Sequence, residues 1–186
     1  MSADLRAAVV EAAREMLRLG LVSGTSGNVS ARDGESVLIT PASSPYERMT
    51  EDDVVAIGPD GEPVEGDGVP SSEWRVHLAI YAARPDVGAI VHTHSVHATA
   101  WSFLDEPLDT GTEELEAATG GAVLTARIAA TGTDEIASAA AEALGARGAV
   151  LLGRHGVVGV GATAAEALAV CAVLERQAEV AWLLRS

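Results

Sequence analysis

The stretch Val87-Gly88-Ala89-Ile90-Val91-His92-Thr93-His94-Ser95 decides the fold. Val87 to Val91 is a short apolar run bounded by turn signals, which reads as a buried strand. It delivers His92, Thr93 and His94 at its C-terminal end. Working backward, Arg84-Pro85 ends a helix that opens at Pro70-Ser71-Ser72-Glu73, with Ser72 as the expected N-cap and Ala83 near its end. Working forward, Ser95 is placed to cap a helix carrying His97 and Trp101. A helix, a buried strand and a second helix in direct succession predict an α/β layered domain.

The rest of the chain continues that alternation. Ala3 to Leu19 repeats apolar residues at helical spacing and stops at Gly20, so it predicts an amphipathic helix. Gly24 to Ser30 reads as a polar loop leading into a strand at Val37 to Thr40, followed by a loop from Pro41 to Pro45. Thr50 to Asp53 resembles a capped turn before a strand at Val54 to Ile57, and Gly58-Pro59-Asp60-Gly61 is a turn signal. Asp105 to Gly121 is acidic and weakly patterned, and reads as a loop region with one short helix. Thr133 to Leu144 predicts an alanine-rich helix. Ala149 to Leu152 and Val157 to Val160 predict strands around Gly153-Arg154-His155-Gly156, and Thr163 to Leu184 a long closing helix. With no repeat or linker, residues 1–186 are expected to form a single domain.

Composition removes several function classes. At 186 residues and 48% hydrophobic content the chain can bury one sizeable core but not two ordinary domains. Twelve basic against 27 acidic residues give a net charge of −15, which repels nucleic acid phosphates and anionic membranes and sets both aside as main partners. All twelve cations are arginine, so no lysine is present to form a Schiff base or serve a P-loop. Cys171 is the only cysteine, which excludes an internal disulfide and a cysteine-based zinc finger and fits a reducing cytoplasm. Met1 to Gly20 lacks an uninterrupted apolar stretch and is expected to be neither a signal peptide nor a membrane span. Aromatic residues are 3% of the chain, so small-residue packing must fill the core, and a thin core points to oligomerisation.

His92 and His94 are two residues apart in an extended segment, so both rings point to one side and can converge on one ion. They can equally cap the strand and hydrogen-bond to backbone. His155, in a glycine-flanked break between two strands, can reach a neighbouring strand end and supply a third imidazole. Three imidazoles with an open position make the catalytic zinc pattern, whereas structural zinc sites are closed by four ligands. Glu73, in the first turn of its helix beside the bulky Trp74, is either a favourable terminal charge or a carboxylate that binds a metal or shuttles a proton. Ser71 and Ser72 at that helix start, with Gly27-Asn28 and Ser43-Ser44, are ordinary turns or the neutral donors an anion such as a phosphate ester needs. Gly159-x-Gly161-x-x-Ala164 fits a loose dinucleotide fingerprint, but no further strand and acidic residue follow its helix.

Taken in order, Gly24-Thr25-Ser26-Gly27-Asn28-Val29-Ser30, Ile39-Thr40-Pro41, Pro45-Tyr46-Glu47, Pro70-Ser71-Ser72-Glu73-Trp74-Arg75, Val91-His92-Thr93-His94-Ser95-Val96-His97 and Arg154-His155-Gly156 resemble the class II aldolase and adducin family. The resemblance implies a central, mainly antiparallel sheet flanked by helices, one Zn2+ per subunit with other divalent metals as substitutes, and a homotetramer with sites near subunit interfaces. Carried onto this sequence, it makes His92, His94 and His155 the metal ligands and Glu73 the catalytic carboxylate. It makes Gly27, Asn28, Ser43, Ser71 and Ser72 the phosphate contacts. The implied reaction is a cytoplasmic lyase's: a small ketose phosphate such as L-fuculose 1-phosphate is split into dihydroxyacetone phosphate and an aldehyde through a metal-stabilised enediolate, which replaces the iminium a lysine would form. Rival activities in the family are pentulose-phosphate 4-epimerisation, dehydration and decarboxylation, and a non-catalytic adducin-like assembly module is the alternative of another class. Two departures stand out. Ala42-Ser43-Ser44 replaces the family's Thr-Gly, and Glu113-Glu114 stand where the family aldolase has a tyrosine, which makes them a candidate specificity loop.

Overall fold

The computed structural model describes residues 2–104 and 106–185, so Met1, Ser186 and Asp105, the first residue of the acidic stretch, fall outside it. The elements, in chain order, are α1 (Ala3–Arg18), β1 (Asn28–Asp33), β2 (Ser36–Ile39), β3 (Val55–Ile57), α2 (Trp74–Ala83), β4 (Ala89–Thr93) and α3 (Val96–Trp101). They continue with α4 (Glu113–Thr119), β5 (Thr125–Ala126), α5 (Asp134–Leu144), β6 (Ala149–Leu152), β7 (Gly156–Gly161) and α6 (Ala164–Arg185). The strands form one sheet in the order β3-β2-β1-β4-β7-β6-β5, antiparallel throughout except for the β5–β6 pair.

Two-residue alternation along the strands divides the core into two layers. Val29, Ala31, Leu38, Val91 and Val157 face α1, α3 and α6. Val37, Ile39, Ile90, Val150 and Val158 face α2 and α5. Small residues make this close packing possible. A Cβ on Gly159 would lie 2.7 Å from both the Ala167 carbonyl oxygen and the Cys171 sulfur, so β7 sits directly under α6. The same burial pushes the Cys171 thiol up to about 12, leaving it a core residue and a poor nucleophile.

Three local outcomes differ from the sequence reading. Asn28 to Ser30 are not loop but the start of β1, whose polar residues Asn28, Ser30 and Arg32 alternate with buried Val29 and Ala31. Ser72 is not the N-cap of α2. Ser71 donates its amide to the Thr40 carbonyl at 3.0 Å, and its hydroxyl accepts from the Glu73 amide at 3.3 Å, so the turn runs one residue further and Glu73 itself becomes the N-cap residue. Ser95 makes no side-chain cap to α3. The Glu175 carboxylate of α6 does that work, accepting from the amides of His97 and Ala98 at 3.0 and 2.9 Å and from His97 Nδ1 at 2.8 Å.

Candidate active site

β4 lies at the centre of the sheet, and its register brings Asn28 of β1 and Val158 of β7 to either side of His92. All three therefore face the α2 layer, where Glu73 stands at the helix start. His94 follows two residues later on the same side. His155 belongs to the β6–β7 connection, where Arg154 takes a left-handed φ of 59° and the His155 amide donates to the Leu152 carbonyl at 3.0 Å. Gly156 lets this tip close on β4. A Cβ there would lie 2.3 Å from the Thr93 carbonyl oxygen and 3.1 Å from both the His92 and the His94 ring, so only glycine fits.

The three imidazoles form a near-equilateral triangle, with ring centroids 4.8, 4.9 and 4.9 Å apart. His92 donates from Nδ1 to the Val157 carbonyl at 2.8 Å, which turns its Nε2 toward the centre of the group. That Nε2 lies 2.9 Å from His94 Nε2 and 3.2 Å from Glu73 Oε2, while His155 Nε2 lies 3.2 Å from Glu73 Oε1. The possible ligand atoms of all four residues lie within 4.8 Å of one another. His92 and Glu73 are buried, and His94 and His155 partly exposed, so the group is walled on the sheet side and reachable from the other.

Charge is finely opposed here. Burial resists ionisation of Glu73, but the neighbouring imidazoles of His92 and His155 and the Asn28 amide hold its carboxyl well below the usual carboxylate range. Burial also works against a charged His92, yet contact with Glu73 leaves its pKa raised. His94 is pushed down to about 4 by burial and by the other two imidazoles. Two buried polar atoms, Glu73 Oε1 and His155 Nδ1, have no hydrogen-bond partner. Three imidazole nitrogens and a carboxylate within 4.8 Å of one another are the donor set of a divalent transition metal, and the residues fit such an ion.

The other residues singled out in the sequence fall around this centre. Asn28 is buried and its side chain is committed: Nδ2 donates to Glu73 Oε2 at 2.9 Å and Oδ1 faces His77. Gly27 has a left-handed φ of 75°, and its carbonyl accepts from the Tyr46 hydroxyl at 2.5 Å. An isolated bridge between Pro41 and Pro70 sets the loop holding exposed Ser43 beside the segment of Ser71, which is buried, and Ser72, which is exposed. Glu113 and Glu114 are not brought to the cluster. They open α4 in the opposite layer, where Glu114 accepts from Gln177 of α6 at 2.6 Å and Glu113 borders a cavity of about 490 Å³. Trp74 does not cover Glu73 but packs its ring onto Gly61, under the Arg75 guanidinium. His77, given no role by the sequence reading, lies wholly buried behind Asn28. Its signal was positional, four residues after Glu73 and four before Tyr81 on one stripe of α2.

Known proteins resemble this chain in sequence and fold. An L-fuculose phosphate aldolase of Escherichia coli is 45% identical over 128 residues, which cover 69% of this chain and 59% of that enzyme. The match to that curated relative thus spans less than two thirds of its length. A 5-methylthioribulose-1-phosphate/5-deoxyribulose-1-phosphate aldolase of Rhodospirillum rubrum is 38% identical over 178 residues, 96% of this chain and 80% of that one. A solved L-fuculose 1-phosphate aldolase structure superposes with a TM-score of 0.95 at 33% identity, covering 100% of this chain and 88% of its own. Residues 7–182 match the family described as Class II Aldolase and Adducin N-terminal domain, and with the sheet order, the histidine triangle and Glu73 in hand, the chain belongs to that family.

Proposed function

We propose that the chain is a metal-dependent aldehyde-lyase that cleaves a small ketose phosphate, with L-fuculose 1-phosphate as first candidate, into dihydroxyacetone phosphate and an aldehyde. The observation that carries this reading is the convergence of His92, His94 and His155 on one point beside the Glu73 carboxylate. In it the three histidines hold one zinc ion per subunit, with other divalent metals as substitutes. A bound divalent ion supplies Lewis acidity at the substrate carbonyl, the task a lysine iminium performs in lysine-based aldolases. Glu73 exchanges the substrate proton, and Oε1, which has no hydrogen bond, is the oxygen free to do so.

Neutral donors hold the phosphate in this reading: Gly27, Asn28, Ser43, Ser71 and Ser72, of which Asn28 contributes through its backbone because its side chain is engaged by Glu73 and His77. Glu113 and Glu114 open α4 in the opposite layer and are assigned no contact with the aldehyde end within one subunit. The alanine-rich core supports a homotetramer, and the lone buried cysteine supports a cytoplasmic setting. Among the described residues no helix is long and apolar enough to cross a membrane, and the charge of −15 disfavours nucleic acid as a partner.

The decisive experiment incubates zinc-loaded protein with L-fuculose 1-phosphate, 5-deoxyribulose 1-phosphate, 5-methylthioribulose 1-phosphate and a pentulose phosphate, and follows dihydroxyacetone phosphate. Its release supports the lyase. Turnover without it supports an epimerase or dehydratase, and no turnover on any of them, with metal bound, overturns the lyase reading. Light scattering that shows only single chains at micromolar concentration contradicts the tetramer.

A further inference from the structure

Ser30, His77 and Tyr81 are buried, polar and unused by the reading above. Together with Asn28 they form an unbroken hydrogen-bonded chain that ends on Glu73. Asn28 Nδ2 donates to Glu73 Oε2 at 2.9 Å, and Asn28 Oδ1 meets His77 Nε2. His77 Nδ1 lies 2.6 Å from Ser30 Oγ, which lies 2.9 Å from the Tyr81 hydroxyl. All five residues are buried, and Ser30 and His77 have no exposed surface at all.

The chain exists because two repeats match. Glu73, His77 and Tyr81 are spaced by four on α2, a rise of about 6 Å per step. Asn28 and Ser30 are spaced by two on β1, a rise of about 6.6 Å. The two ladders interleave, so the path alternates helix, strand, helix, strand, helix without a gap.

Its polarity is dictated from the Glu73 end. A carboxylate accepts, so the Asn28 amide must present its NH2 there and its carbonyl oxygen to His77; the flipped amide would set two acceptors face to face. His77 Nε2 must then carry the proton. Burial keeps this ring neutral at ordinary pH, so Nδ1 is an acceptor, Ser30 donates to it, and Tyr81 donates to Ser30. Every donor points toward Glu73. The last one occupies Oε2, which also faces His92 Nε2 at 3.2 Å, and leaves Oε1 with no hydrogen bond and only His155 Nε2 beside it at 3.2 Å.

We infer that Tyr81, Ser30, His77 and Asn28 form a one-way positioning relay, with His77 held as the Nε2–H tautomer, that selects Oε1 of Glu73 as the oxygen exchanging the substrate proton. The inference rests on the lyase reading only in its last clause. His77 is a positioning residue, because it acts on Glu73 through Asn28.

The test begins on metal-free, substrate-free protein. Long-range 1H–15N correlation at pH 7, with the His77 signals assigned by their loss in His77→Gln, should show Nε2 protonated and Nδ1 bare. A protonated Nδ1, alone or in an imidazolium, overturns the relay. Ser30→Ala removes the donor to Nδ1 without touching Glu73 or the histidine triangle. It should scramble the His77 tautomer and, on the best ketose phosphate, lower kcat about tenfold, with KM and bound zinc unchanged. Tyr81→Phe removes only the first donor; it should keep the tautomer but move the Nε2 proton resonance, and it decides the matter if Ser30→Ala does not fold. An unmoved His77 spectrum in the variants overturns the relay. Inactivity of the wild type on every ketose phosphate instead defeats the lyase reading, and the spectra still decide whether the relay exists.

Discussion

Burial alone would raise the Glu73 carboxyl, yet its imidazole neighbours and Asn28 keep it an anion. A proton acceptor of that kind depends on its charge as much as on its position. Glu73→Gln retains the volume and removes the charge, so turnover should fall by about a hundredfold or more, the scale of losing a general base, while zinc content and oligomeric state persist. Near-full activity in a steady-state assay would assign the base elsewhere. Backbone demands nearby can be separated in the same way. Gly20 and Gly27 both have left-handed φ values, 71° and 75°. A Cβ on Gly20 would meet nothing within 4 Å, whereas one on Gly27 would lie 2.6 Å from the His92 carbonyl oxygen and 2.7 Å from Val22 Cγ1. Gly20→Ala should therefore cost about 1 kcal/mol for conformation alone. Gly27→Ala adds overpacking against the strand that carries His92 and should cost about 2 to 4 kcal/mol. Urea unfolding of the two variants gives the difference directly, and equal losses would mean that the Gly27 surroundings yield.

Helices and strands convert these local demands into a site. Glu175 on α6 caps α3, the helix that begins two residues after His94, so Glu175→Ala should cost about 1 to 2 kcal/mol in urea unfolding by leaving the His97 and Ala98 amides without their acceptor. On α2, burial pushes His77 down to about 3, whereas an unfolded histidine titrates near 6.5. Between those values the unfolded chain binds the extra proton. His77 therefore adds stability that is complete above about pH 6.5 and is lost as the pH falls toward 3, with a slope approaching about 1.4 kcal/mol per unit. In metal-free protein, His77→Gln should show a shallower acid decline than the wild type, and parallel curves would refute this. Most elements were legible from sequence because their signals are local: the helical spacing of α1, α5 and α6, the apolar runs of β4 and β6, and the His-x-His pair. β1 was not, because its α2-facing positions are Asn28, Ser30 and Arg32, polar residues whose partners lie on a distant helix. The two-residue β5 exists only through its pairing with β6. His77 was hidden for the reason that hid β1, since its role depends on that strand's register against β4.

Across the whole molecule, the four converging groups come from three separate segments: the start of α2, the end of β4 and the tip of the β6–β7 connection. An ion held among them ties together parts of the chain that lie far apart once it unfolds, so its binding energy is largely a contribution to the folded state. Stripping the metal with a chelator should therefore lower the melting temperature, and adding zinc back should restore it. With free ion at a thousand times its dissociation constant the gain is about 4 kcal/mol. For a chain of this length, that corresponds to roughly 10 °C. His94→Ala should abolish the zinc-dependent rise while leaving a folded protein, because His94 is partly exposed and contributes no core packing. A zinc-dependent rise of full size in His94→Ala, seen by calorimetry at matched free zinc, would put the stabilising ion at another place in the molecule.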